Sequence, residues 1–472
     1  MSHLLSAEKV NLNINWLPEE ILLHIFKYFG LNDIYNIALT SKRFSRIVDE
    51  NFNILAPKMH RISLNCWNEY SEWVGVRKYS NFIIDSTAII RFKDIISTRS
   101  DQITKLSLHF HNDPFIEIEV VREILIGLKN LKELRVNLIN VIANNQNSLA
   151  SLPNLKNLES LDFYGSSKFF NIFTNFQFKI LKLRLYDPKE NSEIFKNFLK
   201  KQKKLEDLKF YGYILPSVTP RPLFDDTDLD KVNFRLKNFK ISRNPSFFIQ
   251  TESFNKFLSY HQESLTYLSI SQSEVNLDIV KNFKNLKKLK INRSYIMVDH
   301  VNSHVENVII KRSSNRFLRN LINLKMLITI ESASYLNELN FEDLKNLESL
   351  DIYASHIPRL VIPSVKNLKI SNATSFDVDA FPLFQSNIQN LSLRNCVNIR
   401  SLLDYLNQPD TRLKSLKIED SQIESKYLSG IKRNRLKIEV LEIIRCQRIA
   451  DFPLWSYCVC EGYLNQFGME PY

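Results

Sequence analysis

Leu286-Lys287-Lys288-Leu289-Lys290-Ile291-Asn292-Arg293-Ser294 sets the pattern by which the rest of the chain can be read. Apolar side chains fall at the first, fourth and sixth positions, and a small polar residue follows three places later. The Leu289-x-Ile291 alternation suits a short strand with one face buried and the other in water. One such phrase is a weak signal. It returns upstream as Ile103-Leu106-Leu108, Leu131-Leu134-Val136, Leu158-Leu161-Phe163, Ile180-Leu183-Leu185, Leu205-Leu208-Phe210, Leu236-Phe239-Ile241 and Leu265-Leu268-Ile270. Downstream it returns as Val305-Val308-Ile310, Leu347-Leu350-Ile352, Val365-Leu368-Ile370, Ile388-Leu391-Leu393, Leu413-Leu416-Ile418 and Ile438-Leu441-Ile443. Leu324-Leu327 carries Thr329 in the third slot, Met59-Ile62-Leu64 fits as a first copy, and Tyr79-Phe82-Ile84 as a degenerate one.

The stretches between phrases hold helical patterns such as Ser192-Glu193-Ile194-Phe195-Lys196-Asn197-Phe198-Leu199. A unit of this kind cannot cover its own apolar face, but a stack of them shares a continuous core. Ser166, Asn244, Ser273, Ser294, Ser313, Ser355, Cys396, Ser421 and Cys446 occupy the small position after the phrase. A small polar side chain there can satisfy backbone groups where the strand turns. Cys396 and Cys446 are therefore expected as ladder positions and not as nucleophiles. Phrase and spacing resemble the leucine-rich repeat, whose signature puts Asn or Cys in this column. The resemblance implies an α/β fold, a curved solenoid (horseshoe) of about sixteen repeats over residues 58–451. Residues 452–472 carry no further copy of the phrase and are expected to cap the open end.

The N-terminal residues read differently. Residues 1–14 form a tail, and Trp16 to Gly30 open as a helix with Pro18 in the first turn, Glu19 and Glu20 at its positive end and Gly30 as a stop. Ile21, Leu22, Ile25, Phe26 and Phe29 share one face. A second helix is expected from Asn32 to Leu39 with Ile34 and Ile37 inward, and a third near Ser41 with Phe44, Ile47 and Val48. Three short helices scarcely bury a core alone. The run Leu17-Pro18-x-Glu20-Ile21-Leu22-x-x-Ile25-Phe26, with Asp33-Ile34 and Ser41-Lys42-Arg43-Phe44, resembles an F-box over residues 15–57. That resemblance implies binding to a Skp-type adaptor, and through it to a cullin–RING (SCF-type) ubiquitin ligase. By position the adaptor-facing residues would be Leu17, Pro18, Ile21, Leu22, Ile25, Phe26 and Ile34. Ser41 and Phe44 stand where the family often has Cys and Trp, and its closing Leu-Trp pair is not evident near Asn53-Ile54-Leu55. The competing reading is a helical cap on the solenoid.

In this register the strand residues between buried apolars point to the inner face of the horseshoe, and basic types outnumber acidic ones there. Arg135, Tyr164, Arg184, Tyr186, Lys209 and Tyr211 form the expected target-binding surface, suited to an acidic or phosphorylated segment. The competing reading is a solvated strand face in a Lys-rich protein. Nucleic acid is disfavoured, because the basic residues are spread over many repeats and no nucleic-acid fold signature is present.

Composition narrows the classes further. The 472 residues are 44% hydrophobic, carry a net charge of +12 and include only 8 Gly and 5 Cys. Those values fit a globular chain with reduced thiols and an intracellular setting, and the charge suits an acidic partner surface or nucleic acid without choosing between them. No apolar run reaches the roughly 20 residues of a membrane span, and the first residues lack a secretory pattern. No P-loop, G-x-S-x-G, H-E-x-x-H or kinase set is present, so neither a cofactor nor catalysis is expected. The pairs His109/His111 and His300/His304 are the best metal candidates, each without a convincing third ligand. The sequence thus points to a non-catalytic substrate receptor, with a repeat scaffold or inhibitor lacking a ligase as the second reading.

Overall fold

The computed structural model describes residues 14, 17–29, 31–55, 62–63, 81–85, 96, 100–110, 116–143, 149–152, 155–185, 192–212, 232–242, 251–272, 274–276, 280, 282–297, 304–313, 317–318, 321–330, 341–357, 360–362, 364–376, 387–397, 399, 413–423, 439–446 and 458–461. The chain forms two compact units, Met1–Leu181 and Lys182–Tyr472.

The first unit opens with three helices, α1 (Glu19–Phe26), α2 (Leu31–Thr40) and α3 (Lys42–Leu55). Both α1 and α2 pack on α3. Ser41 starts α3 by accepting the Phe44 N–H on its Oγ at 3.1 Å, the usual role of Ser at this position. Leu22, Phe26, Ile34, Ala38, Phe44, Ile47 and Val48 make the small core, with the Phe26 and Phe44 rings edge to face at 5.6 Å. The first helix stops short of Gly30. Tyr28 N donates to Ile25 O and Phe29 N to Phe26 O, so the last turn tightens and leaves Phe29 42% exposed.

Beyond the helices runs a parallel ladder, Ile62–Ser63, Asn81–Asp85, Lys105–His109, Glu133–Asn137 and Ser160–Gly165. Phe82, Leu106, Leu134 and Leu161 align across it, as do Ile84, Leu108, Val136 and Phe163, all buried. The degenerate copy around Phe82 is thus a full rung. The helix Ile118–Ile126 covers the core with Val121, Ile124 and Leu125. A Cβ at Gly127 would sit 2.6 Å from Ile96 Cγ2, so the next turn requires glycine. After Ser160–Gly165 the chain makes a 3-10 helix, Ser167–Phe173, that feeds a cluster of buried Phe side chains. Phe163, Phe170, Phe173, Phe176 and Phe178 meet at centroid distances of 4.8 to 6.4 Å.

The strand Ile180–Leu185 spans the boundary between the units. The second unit is a longer parallel ladder: Asp207–Gly212, Asn238–Ser242, Tyr267–Ser271, Lys288–Asn292, Asn307–Lys311, Met326–Ile330, Ser349–Tyr353, Asn367–Ser371, Asn390–Arg394, Ser415–Glu419, Val440–Ile444 and Cys458–Glu461. The phrase places its second and third apolars in two continuous columns, for example Leu289, Val308, Leu327, Leu350 and Ile291, Ile310, Thr329, Ile352. Pairing of Cys458–Glu461 with Leu441–Ile444 carries the ladder past residue 451, where the phrase had ended. Cys458 and Cys460 stand in register with Leu441 and Ile443, a correspondence the Leu/Ile/Val phrase does not detect.

Every turn that leaves these strands faces the same problem, a backbone that must reverse while its N–H groups stay paired. Gln272, Arg293, Arg312, Asn372, Asn395, Asp420 and Arg445 solve it with φ between 47° and 61°. Left-handed backbone is normally a glycine conformation. Here Gln272 N, Arg293 N, Arg312 N, Asn372 N, Asn395 N and Asp420 N each donate to the carbonyl that ends the next strand, at 2.7 to 3.0 Å. The ladder therefore continues through the turn and offsets the strain.

Candidate protein-binding surfaces

The helical module presents apolar side chains to solvent. Among the described residues ten large hydrophobics are exposed, and Ile14, Ile21, Tyr28, Phe29 and Leu39 are half of them, all in the helical segment. Of the residues expected to face an adaptor, Pro18 and Ile21 are exposed and Leu17 and Ile25 half-buried, while Leu22, Phe26 and Ile34 lie in the module's own core. Arg43 Nη2 donates to Leu17 O at 2.7 Å and Arg46 pairs with Glu19, so α3 holds the start of α1 in place. Tyr28 and Leu39, outside the family phrase, extend the exposed set. Their places follow from how the three helices pack, which one-helix periodicity does not report.

On the strand face turned away from the core, charge is mostly matched from rung to rung. In the first unit Arg135 lies 3.7 Å from Asp162 on the next rung, Lys105 pairs with Glu133 at 2.7 Å, and Tyr164 lies on the rung after Arg135, beside Asn137. In the second, the Arg184 guanidinium and the Lys240 ammonium each sit 5.1 Å from the Tyr211 ring centroid, and Lys209 pairs with Asp207 at 3.2 Å. Tyr186 lies outside the described residues. Further along, Lys369 pairs with Asp351 at 3.2 Å and Lys417 with Glu442 at 2.9 Å. Arg445 forks onto Asp420 and Glu419, and its hydrogen bonds hold the Asp420 carboxyl below the usual carboxylate range. A groove where the chain enters the strands is lined by His304, Lys325, Lys345 and Lys366, but Glu306 and Glu348 pair with Lys325 and Lys366 at 3.3 and 3.1 Å.

The small polar column does what its chemistry suggests. Ser421 Oγ accepts from Cys396 N at 2.9 Å and donates to Glu419 O at 2.8 Å, and Ser313 Oγ accepts from Ser294 N at 3.0 Å. Cys396 and Cys446 donate from Sγ to carbonyls of their own and the previous rung at 3.4 to 3.6 Å. Burial pushes the Cys396 thiol up, which keeps it protonated and inert. A second polar column was not read from the sequence: Asn130, Asn157, Asn285 and Asn346 donate from Nδ2 to carbonyls of the preceding repeat. The recurrent Asn-Leu that opens those phrases was the available signal.

His261 is fully buried against Phe234 and Phe257, and its Nδ1 accepts from Leu236 N at 3.3 Å. Burial, with nearby Arg235 adding repulsion, lowers its pKa to about 3, so it is a neutral core residue. His111 and His300 lie outside the described residues, and among those described no group of three or more His, Cys, Asp or Glu side chains could hold a metal. No helix among them is long and apolar enough to cross a membrane.

Comparison with known proteins agrees with this division. Residues 14–53 match the F-box-like family. No curated protein matches the chain. Among solved structures the chain is similar to one in the TLR13–ssRNA13 complex, with a TM-score of 0.45, 14% identity and coverage of 80% of this chain and 65% of that one. It is also similar to an internalin (InlF) from Listeria monocytogenes str. 4b F2365, with a TM-score of 0.36, 16% identity and coverage of 76% of this chain and 94% of that one. The chain thus spans 65% of the length of the first of these. The class is a three-helix F-box-like module followed by a repeating β/α solenoid of the leucine-rich-repeat kind. That architecture fits a protein–protein interaction scaffold.

Proposed function

We propose that this chain is a substrate receptor: its N-terminal module docks a Skp-type adaptor of a cullin–RING ubiquitin ligase, and its strand face captures the protein to be modified. The observation that carries the first half is the cluster of exposed apolar side chains on a module matching the F-box-like family. Five large apolar side chains exposed on so small a module are more than its own packing explains and suit a docking role. Leu17, Pro18, Ile21 and Ile25 would make direct contact, while Leu22, Phe26 and Ile34 would hold the helices that present them. For the second half, the target-facing candidates are Arg135 and Tyr164 in the first unit and Arg184, Lys209 and Tyr211 in the second, with Tyr186 assigned from sequence alone.

The test is binding of purified Skp-type adaptor to the intact chain and to an Ile21→Lys variant. Ile21 is 48% exposed, so the variant should fold. Binding that is lost in the variant supports the receptor. No binding by the intact, folded chain overturns it and leaves the second reading, an interaction scaffold without a ligase.

A further inference from the structure

The strand Met326–Ile330 departs from the rule that builds the rest of the ladder at its outward positions and at one of its two inward ones. Its sequence, Met-Leu-Ile-Thr-Ile, turns Met326, Ile328 and Ile330 outward and puts Leu327 and Thr329 inward. Thr329 is 1% exposed and its hydroxyl finds no partner among the described residues, while Met326 is 40% exposed. A strand selected only for folding would keep Leu327 inward, put an apolar residue in place of Thr329 and put polar residues at the outward positions. The neighbouring rungs enlarge the patch, because Ile309 lies beside Ile328 and Tyr353 beside Ile330.

The charges beside the patch differ from the ion pairs common along this face, and, unlike Arg184 and Lys240, they have no aromatic ring against them among the described residues. Lys290 aligns with Ile309 across one rung boundary, and Lys311 aligns with Ile330. Neither has an acidic partner among the described residues, whereas Lys209, Lys369 and Lys417 each do. On the far side Asp351 is already held by Lys369. The patch is thus flanked by uncompensated positive charge on one side and by a neutral pair on the other.

We propose that this face, Ile309, Met326, Ile328, Ile330 and Tyr353 with Lys290 and Lys311, is the principal docking site for a target segment in which acidic residues adjoin apolar ones. The assignment rests on reading the solenoid as the target-binding part. Desolvating the apolar island supplies binding energy, and the two lysines fix which end of the segment lies where. A segment crossing the strands would lay its acidic part over Lys290 and Lys311 and its apolar part over Ile328, Ile330 and Tyr353.

The experiment is selection of a random displayed-peptide library on the full chain, followed by binding of the enriched peptides to Ile328→Lys and to Lys290→Glu/Lys311→Glu. Enriched peptides should carry an acidic block next to apolar residues. Ile328→Lys should bind them at least about tenfold more weakly, and the double reversal roughly three- to tenfold more weakly with loss of the salt dependence. Unchanged thermal unfolding and adaptor binding in both variants would separate this site from the N-terminal one. Failure of the intact chain to bind adaptor, with these peptides still captured, would sink the ligase reading and leave the docking site standing. No enrichment, enrichment without the acidic block, or equal binding by Ile328→Lys would overturn the docking site.

Discussion

The helical module and the strand ladder use apolar residues in opposite ways. The ladder turns almost all of them inward in two columns, and its outward side chains are largely paired charges. The module keeps Leu22, Phe26, Ile34, Phe44, Ile47 and Val48 for itself and leaves Ile21, Tyr28, Phe29 and Leu39 in water. The difference shows where each part draws its stability. A rung is completed by the next rung of the same chain, whereas three short helices have too little interior to cover their own surface. What the module lacks, a partner can supply. The strand Met326–Ile330 is the place where the ladder behaves like the module.

The contrast can be broken most severely in the interior. Phe173→Ala, within the buried Phe cluster, should cost about 3–5 kcal/mol and lower the denaturant midpoint of the first unit. Acid acts through His261. Its folded pKa of about 3 lies below the unfolded value near 6.5, so the unfolded state binds the extra proton. Its contribution is therefore constant above about pH 6.5, and stability falls as the pH drops from there towards about 3. A His261→Asn variant should show a flatter profile in unfolding experiments at pH 5 and pH 7. Ser421→Ala removes the acceptor of the buried Cys396 N–H and should cost about 1–3 kcal/mol by the same measurement. Arg293→Gly relaxes a left-handed residue and should stabilise the second unit by roughly 0.5–1 kcal/mol. Smallest of all, Ile21→Lys should shift stability by no more than about 0.5 kcal/mol, since the side chain is half in water. A large loss there would mean the module hides that face, and the comparison would fail.

Most of the ladder was legible because burial repeats. Each copy of the phrase repeats the same two inward positions, so even Tyr79-Phe82-Ile84 and the Thr329 rung could be placed. Ser294, Ser313, Ser421 and the two cysteines were legible for the same reason. Left-handed residues were not, because Gln, Arg, Asn and Asp in that column share no composition, and what they share is a backbone bond to the next rung. The rung Cys458–Glu461 escaped because cysteines stand there in register with Leu441 and Ile443. At the sites the limit was different. Periodicity marks the apolar face of α1 but cannot separate Leu22, which is covered by the module's own packing, from Ile21, which is not. Ile309 and Ile328 are apolar residues in the mostly polar outward column of the sequence, and only their adjacency across paired strands makes them a surface.

The left-handed turns also bear on how such a chain can change over generations. Six of the seven are fastened by the backbone N–H to a backbone carbonyl, so the bond is indifferent to which side chain stands there. Pairing is equally complete across the long separation between Gly212 and Asn238 and the short one between Asn292 and Asn307. Gene duplication could therefore add or delete a rung, or lengthen the stretch between two of them, without the neighbours needing a compensating mutation. What a lineage would have to conserve is the inward pair and the small polar column, leaving the outward residues open to selection by whatever the chain binds.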